Sequence, residues 1–209
     1  NARSLPLRFS ASQKPLPARD YEQHILQTGC IPTRTDNWHD VMNALVWLRF
    51  PLFKAALNGA HGAAIASEDG TQRGRRRDAL TVLDESGVWV RATDAQLSAM
   101  LSQRRWRELF WENREAARTE MQWIVVGHAL LEKMLKPYPA ITGKCLLLHS
   151  PPMARDLTEP AGAQHQAIAG LNALAAPDQL APLPLLGIPG WDKANAQAAY
   201  YDNRAIFRD

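Results

Sequence analysis

Residues 37–61 read NWHDVMNALVWLRFPLFKAALNGAH, and the way this stretch folds decides the architecture. Asn37 is a favourable N-cap for a helix running from Trp38 to about Arg49, because its side-chain oxygen can accept from a backbone N–H that has no intrahelical partner. The residue before a proline is driven out of helical geometry, and proline itself suits the first helical turn. The reading is therefore one helix ending near Phe50 and a second starting at Pro51. On the first, Val41, Met42, Leu45 and Leu48 form an apolar face, while His39 and Asn43, four apart, share another with Asp40 beside them. On the second, Phe53, Ala56, Leu57 and Ala60 are the apolar side, and Lys54, Asn58 and His61 recur at i, i+4 and i+7 opposite them. Two helices joined at a proline elbow thus each carry a line of polar groups.

Proline placement extends the pattern outward. Five of the 14 prolines lie at or before Pro51 and nine between Pro137 and Pro189, which leaves residues 52–136 free of them. Proline is excluded from helix interiors and central strands, so regular structure should concentrate in that gap. Upstream, residues 19–27 suit a short helix closed by Gly29. Residues 79–83 and 88–91 read as two strands joined through Asp84-Glu85-Ser86-Gly87, an antiparallel hairpin with Gly87 at positive φ. Thr93 and Gln96 form a capping box for a following helix, whose phase breaks at residues 103–105. Residues 123–136 suit a helix buried on most sides, or a short strand over 123–126 ending at Gly127. Residues 144–149 suit a strand, 163–175 an alanine-rich helix, and 183–191 an extended arm. The expected fold is α+β: one predominantly helical domain over residues 1–209, with a small antiparallel β-hairpin and an irregular Pro/Gly-rich C-terminal arm. Residues 1–36 would be a loose N-terminal segment, 37–149 the core, and 150–209 the last helix and the arm.

Composition narrows the function classes. The 209 residues are 46% hydrophobic, enough for a sizeable core, which excludes a disordered or fibrous chain. The formal net charge of +3 is too small for a protein that coats nucleic acid. Arginine supplies 18 of the 24 basic residues, which favours planar contacts to carboxylate or phosphate groups. Cys30 and Cys145 are too few for a disulfide scaffold and have no zinc spacing, so a reducing cytoplasm is the expected setting. No run approaches the ~18 apolar residues of a membrane helix. Motifs for zinc peptidases, serine hydrolases, phosphate loops and dinucleotide binding are absent. A ββα-metal nuclease is excluded because 79–83 contains no His, and 93–103 neither His nor Asn.

Several segments together resemble a bacterial family designated domain of unknown function 3025. They are Trp38-His39-Asp40, Asn43-Ala44-Leu45-Val46-Trp47, Phe50-Pro51, Lys54, Leu57-Asn58, His61, Arg77-Asp78-Ala79-Leu80-Thr81, Asp84-Glu85-Ser86-Gly87, Gly127-His128-Ala129-Leu130, Leu186-Gly187-Ile188-Pro189-Gly190-Trp191 and Tyr201-Asp202. The resemblance runs from about Trp38 to Arg208 and implies no particular activity, so functional roles must come from the residues.

If the two elbow helices fold together, His39, Asp40, Lys54, Asn58 and His61 converge. His128 and Glu132, one helical turn apart in an apolar segment, need polar company and can supply it in the same place. These seven are the candidate catalytic residues, with Asn43, Arg77 and Asp78 as candidate substrate contacts. His39, His61 and His128 are candidate ligands for a divalent metal. The reaction expected of them is metal-assisted hydrolysis of a small molecule bearing phosphate or carboxylate. The alternative is a non-catalytic binder that uses Arg73, Arg75, Arg76 and Arg77 to hold an acidic partner or nucleic acid. Nucleic acid is disfavoured: Trp106 and Trp111 do lie among Arg104, Arg105 and Arg107, but Glu108, Glu112 and Glu115 interrupt the positive charge.

Overall fold

The computed structural model describes residues 1–68, 72–148 and 160–208. Its class is α+β. Strand β1 (Arg8–Ser12) pairs in parallel with β2 (Cys30–Arg34) across helix α1 (Ala18–Thr28), which ends at Gly29 in the left-handed conformation, φ 71°. The elbow forms as the sequence predicts. Helix α2 (Trp38–Arg49) starts at Asn37, whose Oδ1 accepts from the Asp40 amide at 3.0 Å. Phe50 leaves helical geometry at φ −130°, ψ 58°, and α3 (Pro51–Ala66) restarts at the proline.

Downstream lies the main correction. Residues 79–83 are not a strand: α4 (Arg75–Ser86) runs through them and through the expected turn, and β3 (Gly87–Ala92) follows directly. There is no hairpin between them. Gly87 has φ −69°, an ordinary value, and is needed for closeness instead, since a Cβ there would sit 2.2 Å from the Leu83 carbonyl oxygen. The misreading has a physical source, because Ala79-Leu80-Thr81-Val82-Leu83 has strand-like residues, whereas Leu80 and Leu83 pack at helical spacing and are fully buried.

Helix α5 (Ala95–Ser102) is capped by Asp94, which accepts from the Gln96 amide at 2.7 Å, and not by Thr93. The predicted break at 103–105 is real, with Arg104 at φ 57° and a π-helical turn over Glu108–Glu112. After α6 (Arg114–Thr119), the strand alternative for the start of residues 123–136 is the one that forms, as β4 (Met121–Val125). Only α7 (His128–Lys133) is helical there. β5 (Thr142–Leu148), α8 (Pro160–Ala173) and β6 (Ala181–Pro184) complete the regular elements, and residue 149 of the expected strand lies outside the described residues. β6 is a sheet strand where an extended arm was expected, and short 3-10 turns follow it.

The larger sheet has strand order β4-β3-β5-β6. β3 pairs antiparallel with β4 and in parallel with β5, and β5 pairs antiparallel with β6. Both faces of β3 are covered, as its run of apolar residues requires. Val88 and Val90 point into a core with Leu101, Leu109, Phe110 and Leu130. Trp89, one residue out of phase, enters the other core with Phe50, Phe53, Leu80, Leu83, Ala167 and Leu171. That second core fixes α3 and α4 against the sheet and so sets the floor of the site.

Candidate active site

Helices α1, α2, α3, α4 and α7 bring their polar sides to one pocket of about 190 Å³. His39, Asp40, Asn43, His61, Arg77 and His128 line it, together with Tyr21, Glu22, Arg34 and Asp84, which the sequence did not single out. Lys54 and Asn58 lie beneath the wall, bonded to lining residues. Asp78 is not part of the site: it pairs with Arg73 at 2.6 Å and is half exposed.

Asp84 is the hub. Its Oδ1 accepts from Lys54 Nζ at 2.5 Å, and both side chains are buried. Burial works against its negative charge, yet Lys54 and then His128 outweigh it and hold the Asp84 carboxyl well below the usual range. His128 Nδ1 stands 3.8 Å from the same oxygen, beyond hydrogen-bond length but within electrostatic reach. His128 Nε2 meets His39 Nε2 at 3.0 Å with the rings edge to face, and His39 Nδ1 lies 3.0 Å from Glu132 Oε2 at the half-exposed outer end. A single line of groups thus runs from buried Lys54 through Asp84, His128 and His39 to Glu132 near solvent.

Glu22 faces this line. Asn58 Nδ2 donates to its Oε2 at 2.7 Å and to its backbone carbonyl at 2.9 Å. Burial, and after it the charge of Asp84, push the Glu22 carboxyl up to about 7, so both forms are populated at neutrality. Beside it Tyr21 accepts from Asn43 Nδ2 at 2.8 Å, and burial pushes its phenol far above the usual value. His61 is buried with no hydrogen-bond partner for Nδ1, and burial lowers its imidazole to about 4, so it is neutral at pH 7. The two shifts act on stability in opposite directions. Glu22, raised above its unfolded value, contributes stability that is full below about 4.5 and is lost as pH rises through about 7. His61, depressed below its unfolded value, contributes stability present above about 6.5 and lost as pH falls towards about 4.

Asp40 has a positioning role. Arg34 donates to it from the backbone at 2.6 Å and from Nε and Nη2 at 3.0 and 2.7 Å. Burial opposes ionisation, but those hydrogen bonds keep the Asp40 carboxyl below its ordinary value. The ion pair ties α2 to β2 and sets Arg34 at the pocket wall.

Each of the four arginines suited to an acidic partner has a partner within the molecule. Arg73 pairs with Asp78, Arg75 with Asp178 at 3.1 Å, and Arg77 with Glu68 at 3.2 Å, while Arg76 donates to the Leu174 carbonyl at 3.0 Å. Among the described residues no group of three or more His, Cys, Asp or Glu side chains is disposed to hold a metal ion.

Asp84 was legible in one respect: Arg77, Thr81 and Asp84 recur at i, i+4 and i+7, the spacing of one helix face, once the hairpin is set aside. Glu22 has no comparable signal. It is one of several polar residues on α1, and only its packing against α3 distinguishes it.

Fold and site together define an α+β chain with a pocket lined by ionisable side chains, several of them buried. It belongs to the family described as protein of unknown function (DUF3025), whose family model matches residues 7–209. No curated protein and no solved structure matches the chain.

Proposed function

We propose that the chain is a hydrolase and that this pocket is its active site, working by general acid–base catalysis on a small substrate that carries a phosphate or carboxylate group. The observation that carries the reading is the line Lys54–Asp84–His128–His39–Glu132 along the pocket wall. Burying charges is costly, and a core that needed only to pack would gain as much from apolar residues.

Carboxylates opposite both Nδ1 atoms favour the tautomer with hydrogen on Nδ1 and the lone pair on Nε2. Two such lone pairs at 3.0 Å would repel, so donor–acceptor counting requires something positive between them. A shared proton meets the requirement. That shared proton is the one the couple takes from an attacking water: one Nε2 lone pair accepts it, the other Nε2 holds it by a hydrogen bond, and Glu132 and Asp84 balance the positive charge without being protonated themselves. Glu22, half protonated near pH 7, is placed to give a proton to the leaving group. Lys14, exposed at the pocket, provides the anion-holding charge.

A second reading has support in the same contact. His39 and His128 would hold a divalent cation that would supply a metal-activated water, and the carboxylate behind each imidazole is the usual bracing of metal-bound histidine. Its remaining ligands would come from water or substrate. The two free, buried thiols favour a reducing compartment, and the cytoplasm is part of this proposal. Among the described residues no helix is long and apolar enough to cross a membrane.

The test is turnover of para-nitrophenyl phosphate and para-nitrophenyl acetate by chelator-treated and by zinc- or manganese-supplemented protein. Hydrolysis above the spontaneous rate is expected on at least one ester. His128→Ala should lower it by ~100-fold or more, the scale of a lost general base. Turnover that survives the chelator supports the shared proton, and turnover that requires metal supports the cation. No turnover under any of these conditions contradicts the hydrolase.

A further inference from the structure

Helix α2 is amphipathic in an unusual sense, because its inner side carries Asn43, Val46 and Trp47 while its most apolar stripe faces outward. Trp38 is 61% exposed, Val41 37%, Leu45 51% and Leu48 67%, and Leu52 on the first turn of α3 is 51% exposed. Leu52 lies beyond the elbow, and the four on α2 follow one another at intervals of three, four and three. That is the 3.5-residue seam spacing by which one helix packs against another, narrower than the broad stripe with which a helix meets a globular core. At the N-terminal end, Asp36, Asn37, Trp38 and Val41 line a surface hollow. At the other end Arg49 stands exposed beside the seam, its guanidinium 5.4 Å from the centre of the Phe50 ring. Neither Asp36 nor Arg49 has an ion-pair partner among the described residues.

We propose that this face is a dimer interface, at which α2 of one chain packs antiparallel on α2 of a second copy about a two-fold axis between Val41 and Leu45. That axis sets Trp38 against Leu48 of the other copy and Val41 against Leu45. Leu48 enters the hollow beside Trp38, and Arg49 is brought to Asp36. Each contact is made twice, as a two-fold interface requires. The charges at the two ends of the seam are of opposite sign and, in the antiparallel arrangement only, meet. A bilayer surface fits less well, since interfacial helices are rich in Lys and Arg on the polar face, whereas α2 has one arginine and one aspartate. A short seam buries less than a standard interface, so the association should depend on concentration. Leu45, Leu48, Asp36 and Arg49 line no part of the acid–base pocket, and this inference is independent of the hydrolase proposal.

Sedimentation velocity over a series reaching high micromolar should show the native chain passing from monomer to dimer. Leu45→Glu should remain monomeric throughout with an unchanged far-UV circular dichroism spectrum, because the residue is exposed. Asp36→Arg alone should weaken the dimer, and Asp36→Arg with Arg49→Asp should restore it, a rescue that no misfolding effect imitates. A native chain that is monomeric across the series overturns the proposal, and if it then floats with phosphatidylcholine vesicles the face belongs to a membrane surface. A dimer that survives Leu45→Glu places the interface elsewhere and overturns it equally. Failure of the charge exchange to restore association contradicts the antiparallel pairing.

Discussion

Asp84→Ala should cost the fold about 3–5 kcal/mol, the usual consequence of removing one partner of a buried ion pair. Lys54 is 3% exposed, donates to Asp84 and has its Nζ 5.2 Å from the centre of the Trp47 ring, so the substitution leaves a buried ammonium without the carboxylate that it pairs with. The cost is that of an uncompensated charge and not the net worth of the pair. Lys54→Met combined with Asp84→Leu should therefore recover most of the loss, since two apolar side chains of similar size need no desolvation to be overcome. Urea denaturation of the two single variants and the double variant checks both statements. A loss below about 1 kcal/mol for Asp84→Ala would mean that water reaches the pair and screens it.

Trp89→Ala should be comparably damaging, by about 3–5 kcal/mol, through a different cause. The indole is fully buried on the central strand, with the rings of Phe50 and Phe53 edge-on to it at 4.9 and 4.7 Å between centroids. Its removal leaves a cavity beneath the α2–α3 elbow that neighbours on three elements cannot collapse to fill. The elbow also aims Lys54 at Asp84. Trp89→Phe, which keeps the aromatic contacts, should lose much less. Thermal unfolding of the two variants separates cavity formation from a general intolerance of change, and equal losses would contradict the packing account.

What could be read from the sequence follows from how local each signal was. Asn37 as a cap, the stop before Pro51 and Gly29 as a helix end all rest on backbone rules that act within a few residues, and all three form. The hairpin failed because residues 79–83 are β-branched and apolar enough for a strand, and the deciding contacts, Leu80 and Leu83 packed in the core beside Phe53 and Leu57, come from distant chain. The site divides in the same way. His39 and His61 stood out because they lie on the polar faces of the two elbow helices, and His128 because a polar group in an apolar segment needs a partner. Asp84 was misplaced along with its helix. Glu22 was missed because nothing nearby in sequence gives it a role: its position depends on α1 lying against α3, and its chemistry on the burial that follows and then on a carboxylate 62 residues away.

The central claim is that these groups form one buried acid–base unit active near neutrality, and the pH titration of the Glu22 side-chain carboxyl by carbon-13 NMR tests it most directly. The account predicts a midpoint about 7 and a fall of the Glu22 midpoint when Asp84→Asn removes the neighbouring negative charge. A Glu22 midpoint in the ordinary carboxylate range, near 4.5, unchanged by Asp84→Asn, would contradict it.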